Sequence, residues 1–225
     1  MDKITVLLAE DHEIVREGFR CLLKSEGDIE VVGEAETGRE AVQLTRKLRP
    51  AVVVMDIAMP LLNGLEATRQ IRKACPATRV LILSAHSDDA YIQQVEQLGA
   101  AGFLLKQTSS HVLALAIREI QKGRTFFSPA ISKRMLGRSK KPAALGGESK
   151  KSFNRLSSRE VEVLQLIAEG KPNKQVAAKL GVSFKTIDKH RQQLMAKLNI
   201  HNTAGLTRYA ISAGIVESSV RVTIF

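Results

Sequence analysis

Only two cysteines occur in 225 residues, Cys21 and Cys75, with no CxxC spacing and no histidine clustered near either. Neither a zinc site nor a disulfide framework is suggested, and a reducing cytosol fits, so a cytoplasmic location is expected. Long apolar runs are missing too. The longest near the N-terminus, residues 4–9, is too short for a signal-peptide core or a membrane span, so nothing indicates export or membrane association. No internal repeat is visible. Aromatic residues are sparse, and residues 156–215 offer only Phe184 and Tyr209, too few for the stacking platforms that bind single-stranded RNA. Acidic residues are short in one half only. Residues 1–125 hold 16 Lys+Arg against 17 Asp+Glu, a net of −1, whereas residues 126–225 hold 18 against 6, a net of +12. The overall +11 therefore belongs to the second half, and it points to a polyanion partner for that part alone.

What the sequence does contain is regular. Short apolar runs recur as "ITVLLA" (4–9), "EVVGEA" (30–35), "AVVVMD" (51–56), "RVLILS" (79–84) and "AGFLL" (101–105), separated by segments with helical spacing. Strands alternating with helices predict βαβ units, hence a doubly wound α/β domain with a five-stranded parallel sheet over residues 1–125. Its last helix spans about 109–122 and stops at Gly123. Residues 126–153 read as a linker: a short helix at 129–136, then a flexible stretch at 138–153 where Ser, Lys, Gly and Pro accumulate. Residues 154–225 form a small all-α domain. Its helices are expected at 157–170, capped by Ser157 and stopped by Gly170, then at 172–182, 183–200 and 202–215.

Side chains at the carboxyl ends of neighbouring strands converge on the crevice where open α/β sheets do their chemistry. Here those positions are Glu10 and Asp11 after the first strand, Asp56 ending the third, Ser84 ending the fourth and Lys106 after the fifth. Three carboxylates brought together repel one another unless a cation intervenes. A hard divalent ion, Mg²⁺ above all, resolves that conflict and keeps waters that a phosphoryl oxygen can replace. Lys106 adds a positive charge and Ser84 a hydroxyl donor, which together describe a phosphoryl site with Asp56 as nucleophile.

The segments "AEDHEIVREG", "VVMDIAMPLLNGLEA", "LILSAH" and "GAAGFLLKQT" resemble the receiver domain of two-component response regulators over residues 3–122. The resemblance implies a flavodoxin-like fold. It further implies that Glu10, Asp11 and Asp56 hold Mg²⁺, that Asp56 takes phosphate from a sensor histidine kinase, and that Ser84 and Lys106 contact the phosphoryl oxygens. It also implies why Asp56 follows a buried apolar run: the strand ends there and the carboxylate emerges at the rim. Two positions depart from the usual pattern. Glu10 stands where Asp is commoner, and Gln107 where Pro often follows the lysine, which favours a trans peptide there. Phe103 occupies the place of an aromatic that swings inward on phosphorylation. Without a hydroxyl it reads equally well as a packed core residue.

In the second domain, "GVS" (181–183) joins two helices as in a helix-turn-helix, with Gly181 in the turn and Ser183 as cap. On the wheel of the following helix, Ile187, Leu194 and Leu198 point inward, and His190 falls on their side as a satisfied, partly buried histidine. Lys185, Asp188, Lys189, Arg191 and Gln192 face away. Residues 156–211 resemble the LuxR-type helix-turn-helix of the NarL/FixJ class of response regulators. That implies sequence-specific binding to double-stranded DNA, usually as a homodimer, with groove-facing positions at Asp188, Lys189 and Gln192 and phosphate contacts at Lys174, Thr186 and Lys197. Asp188 either accepts from a cytosine amino group or excludes wrong sites by repulsion.

The sequence therefore predicts a phosphorylation-controlled DNA-binding regulator of transcription. An aspartate-dependent phosphohydrolase is the enzymatic competitor, but it carries a second Asp two positions on, where this chain has Ala58. An output domain acting through RNA or a protein partner is the other.

Overall fold

The computed structural model describes residues 3–85, 89–128, 131, 132 and 156–216. The chain divides into two compact units, Met1–Pro142 and Ala143–Phe225.

In the first unit, strands β1 (Ile4–Ala9), β2 (Ile29–Ala35), β3 (Val52–Asp56), β4 (Arg79–Ser84) and β5 (Gly102–Leu105) alternate with helices α1 (Glu13–Lys24), α2 (Gly38–Leu48), α3 (Gly64–Ala74), α4 (Asp89–Leu98) and α5 (Ser110–Gln121). The strands pair in parallel in the order β2-β1-β3-β4-β5, followed at the edge by β6 (Phe126–Phe127). β3 lies inside the sheet and explains its own sequence. Val53 and Met55 enter one apolar layer, with Ala41 and Val42 of α2, Leu65 and Ile71 of α3, and Ile92 and Val95 of α4. Val52 and Val54 enter the other, with Leu23 of α1 and Leu113, Ile117 and Ile120 of α5. A strand buried on both faces needs apolar residues at consecutive positions, so its pattern is a run rather than an alternation.

The sheet has six strands, one more than the sequence reading. β6 is Phe126–Phe127 and pairs in parallel with β5, Gly102 to Phe126 and Phe103 to Phe127. A two-residue strand at a sheet edge has no periodicity to read. Ile131, fully buried, joins the layer that holds Phe103. Residues 126, 127 and 131, assigned to the linker from sequence, thus belong to the packing of the first unit. Of the helix expected at 129–136, only residues 131 and 132 are described, and both are helical. The flexible stretch expected at 138–153 lies outside the described residues. No peptide bond among the described residues is cis, Lys106–Gln107 included.

The second unit packs α6 (Ser158–Ala168), α7 (Asn173–Leu180), α8 (Phe184–Leu198) and α9 (Thr203–Ser212). Ser157 and Glu160 form a reciprocal capping box at the start of α6. Gly181 ends α7 at φ +64°, the left-handed conformation that glycine adopts without a Cβ penalty, and Ser183 caps α8 by accepting from the Thr186 N–H. Val161, Leu164, Val176, Ile187, Leu194 and Leu206 are all fully buried.

Candidate functional site

β1, β3, β4 and β5 are consecutive neighbours, so their carboxyl ends deliver side chains to one rim. Glu10 and Asp56 are both 2 % exposed, although each is a carboxylate. Lys106 spans them, with Nζ 2.8 Å from Glu10 Oε2 and 3.0 Å from Asp56 Oδ1. Asp56 Oδ1 also accepts from the Ile57 N–H at 2.8 Å. Asp56 Oδ2 is buried with no hydrogen-bond partner. Burial, then the adjacent Glu10 carboxylate, push the Asp56 carboxyl up to about 6 against the pull of Lys106. Burial works to lower the Lys106 ammonium, but Asp56 and Glu10 outweigh it and hold the group above its usual value.

Asp11 joins the cluster: one ligand atom each from Glu10, Asp11, His12 and Asp56 lie within 4.8 Å of one another. Hard oxygen donors, three carboxylates and an unpartnered buried oxygen suit a divalent cation. Ser84 ends the adjacent β4 and is buried, and the Lys106 N–H donates to its carbonyl at 2.8 Å. Phe103 is fully buried in the layer that also takes Ile82, Ile92 and Val95.

Three residues of the rim were not singled out from sequence. His12 follows the acidic pair, and its Nδ1 lies 2.9 Å from Glu10 Oε1. Arg16 is buried; its guanidinium donates to the Glu10 carbonyl at 2.8 Å, to Glu34 Oε2 at 3.2 Å and to Glu36 Oε1 at 2.8 Å. Gly64 places its backbone where a Cβ would overlap the Asp56 carbonyl oxygen. His12 and Arg16 both lay within the motif already quoted, four residues apart. Neither carries a signal that separates it from a surface residue of an amphipathic helix.

The residues assigned to nucleic acid sort by what they touch. Lys174, Lys185, Lys189 and Gln192 are exposed. Gln192 Nε2 donates to Asp188 Oδ2 at 3.0 Å, joining two of the expected groove-facing residues one turn apart. Thr186 is engaged at the α8 cap, its hydroxyl 2.8 Å from Ser183 Oγ. Arg191 braces three helices, donating to Asn173 Oδ1 at 3.1 Å and Thr203 Oγ1 at 2.5 Å. Lys197 Nζ lies 2.7 Å from Glu160 Oε1, so its charge serves the start of α6. His190 departs from the expected satisfied histidine: its Nδ1 is buried and makes no hydrogen bond.

Burial works to raise the Glu160 carboxyl, but Lys197 and the Ser157 backbone outweigh it and hold it below its usual value. A lowered folded value means the pair stabilises fully above the ordinary glutamate range and is lost as pH falls through the lowered value. Lys197→Met leaves a buried carboxylate with one partner fewer. It is expected to cost about 2 kcal/mol at pH 7 in urea unfolding followed by circular dichroism, with the cost shrinking towards pH 4.

Residues 6–118 match the family described as "Response regulator receiver domain", and residues 154–210 match "Bacterial regulatory proteins, luxR family". The chain is 37 % identical over 215 residues to the transcriptional regulatory protein MctR of Rhizobium johnstonii, covering 96 % of each. It is 34 % identical over 214 residues to the response regulator protein VraR of Staphylococcus aureus, covering 95 % of this chain and 99 % of that one. Among solved structures it resembles RcsB, captured as two dimers bound to two parallel DNAs, at 30 % identity and a TM-score of 0.58 over 94 % of this chain and 99 % of that one. No helix among the described residues is long and apolar enough to cross a membrane. With a rim of acidic side chains in one unit and a helix-turn-helix in the other, the chain belongs to the response regulators that join a receiver domain to a LuxR-type DNA-binding domain, and it is a regulator of transcription rather than a turnover enzyme.

Proposed function

We propose that Asp56 accepts a phosphoryl group from the phosphohistidine of a sensor kinase and that the aspartyl phosphate controls binding of α8 to a specific DNA duplex. The observation that carries this reading is the Asp56 carboxylate itself, buried at the rim with Oδ2 unpartnered and Lys106 3.0 Å from Oδ1. Oδ2 is the atom free to attack phosphorus, forming the O–P bond as the P–N bond to histidine breaks and its electron pair returns to the ring. Glu10, Asp11 and Asp56 would hold Mg²⁺, which would supply positive charge against the phosphoryl oxygens. Lys106 exchanges its carboxylate contacts for a phosphoryl oxygen, and the Ser84 hydroxyl donates to another. The added charge and the new contacts bias a two-state receiver in which Phe103 reports the state by its packing.

The receiver occupies residues 1–125, extended by Phe126, Phe127 and Ile131, and a connection over the rest of 126–153 leads to the DNA module at 154–225. Lys174 and Lys185 contact phosphates, with Thr186 near the same strand. Asp188, Lys189 and Gln192 face the groove, while Arg191 and Lys197 hold the module together. The active form is a homodimer on paired half-sites, a reading that RcsB supports in so far as its dimers bind DNA, and it acts in the cytoplasm.

Genomic footprinting of the intact chain with and without acetyl phosphate tests the reading. The expected result is a set of discrete duplex sites whose occupancy rises with the phosphodonor and falls steeply with salt. A flat salt response with no duplex footprint would favour a protein partner instead.

A further inference from the structure

His12 is a side chain of the rim that phosphoryl transfer leaves unused. It occupies the residue before α1, yet its ring makes no cap to that helix. Nδ1 turns towards the carboxylates instead, 2.9 Å from Glu10 Oε1 and 3.0 Å from Asp11 Oδ1. The donor atoms of Glu10, Asp11, His12 and Asp56 all lie within 4.8 Å of one another. Metal–ligand bonds of about 2.1 Å set opposite ligands about 4.2 Å apart, so a group of this width is on the scale of one coordination sphere. Independently, Asp56, 2 % exposed, aims an unpartnered oxygen into the same cluster.

We propose that His12 ligates the rim cation through Nδ1, making a mixed oxygen and nitrogen site that takes Mn²⁺ in preference to Mg²⁺. This rests on the reading that Glu10, Asp11 and Asp56 hold a divalent ion. Mg²⁺ demands near-ideal octahedral geometry, favours oxygen and gives up water reluctantly. Imidazole is a softer donor that suits the first-row transition ions, and affinity at such sites rises from Mn²⁺ along the series. To donate to Glu10, Nδ1 carries the ring proton; to ligate, it presents its lone pair and the proton resides on Nε2. The side chain is 61 % exposed, so that exchange proceeds through bulk water. Glu10, released from the imidazole, keeps Lys106 at 2.8 Å.

Pulsed electron paramagnetic resonance of Mn²⁺ bound to the full chain reads the bond directly. Wild type is expected to show ¹⁴N modulation from a coordinated imidazole and, in competition, to prefer Mn²⁺ over Mg²⁺ by about tenfold or more. His12→Ala is expected to lose the modulation and to weaken Mn²⁺ by about tenfold while changing Mg²⁺ affinity less than about twofold. Bound Mn²⁺ without nitrogen coupling in wild type, or equal weakening of both ions in His12→Ala, overturns the assignment of His12 and leaves the carboxylate site standing. Ion binding unchanged by both Asp11→Asn and Asp56→Asn removes the carboxylate site itself, and this proposal with it.

Discussion

Asp56→Asn is expected to abolish labelling of the protein by acetyl phosphate or phosphoramidate in Mg²⁺, a loss of at least about a hundredfold, since an amide is no nucleophile for phosphorus. Incorporation that survives the substitution would place the acceptor elsewhere. The same variant carries a second expectation with an unusual sign. Burial first, and Glu10 second, raise the Asp56 carboxyl from 3.8 to about 6, so the folded state binds that proton more tightly than the unfolded chain. Stability therefore falls as pH rises from about 4 to about 6, and above that window the ionised group costs about 2 to 3 kcal/mol. Asn removes the charge. Asp56→Asn is expected to unfold at higher urea than wild type at pH 7.5, with the difference vanishing near pH 4. A variant less stable than wild type at pH 7.5 would mean that the Lys106 contact outweighs desolvation.

Gly64→Ala is the second large effect. Gly64 opens α3 behind the Asn63 cap, and its N–H donates to the Ile57 carbonyl at 2.9 Å. A Cβ there would overlap the carbonyl group of Asp56 and stand 3.0 Å from Met55 Cγ, so either the α3 turn or the end of β3 must shift. The expected cost is about 3 kcal/mol, together with a fall in labelling of about a hundredfold, because the nucleophile moves with its backbone. Gly18→Ala is the control. Within α1 its Cβ meets nothing within 4 Å, so the helix should gain about 0.5 to 1 kcal/mol and labelling should hold. Gly64→Ala that labels like wild type would show that the end of β3 yields without moving the carboxylate.

Five strands of the sheet, the four strand ends that form the rim and the helix-turn-helix were legible because their patterns are long and local. β3 declares itself by five buried residues in a row, and α8 by its cap, its glycine turn and its apolar stripe. What escaped depends on partners far away in sequence. β6 is two residues that make sense only beside β5. Lys197 and Arg191 have the composition and spacing of a solvated basic face, and contacts with Glu160, Asn173 and Thr203 give them structural work. Gly64 resembles any glycine after an Asn cap until the Asp56 carbonyl is placed beside it. The clustering of polar residues at the rim was legible as a set of residue types at strand ends, whereas Lys106 bridging Glu10 and Asp56 is a matter of distances.

Arg16 fastens the Glu10 backbone, Glu34 of β2 and Glu36 beyond it with one guanidinium. The sheet's outermost edge and its acidic turn are thereby stitched into a single cooperative patch. Fraying of the border strand is therefore expected to reach the acidic cup through the Arg16 bonds to Glu34 and Glu10.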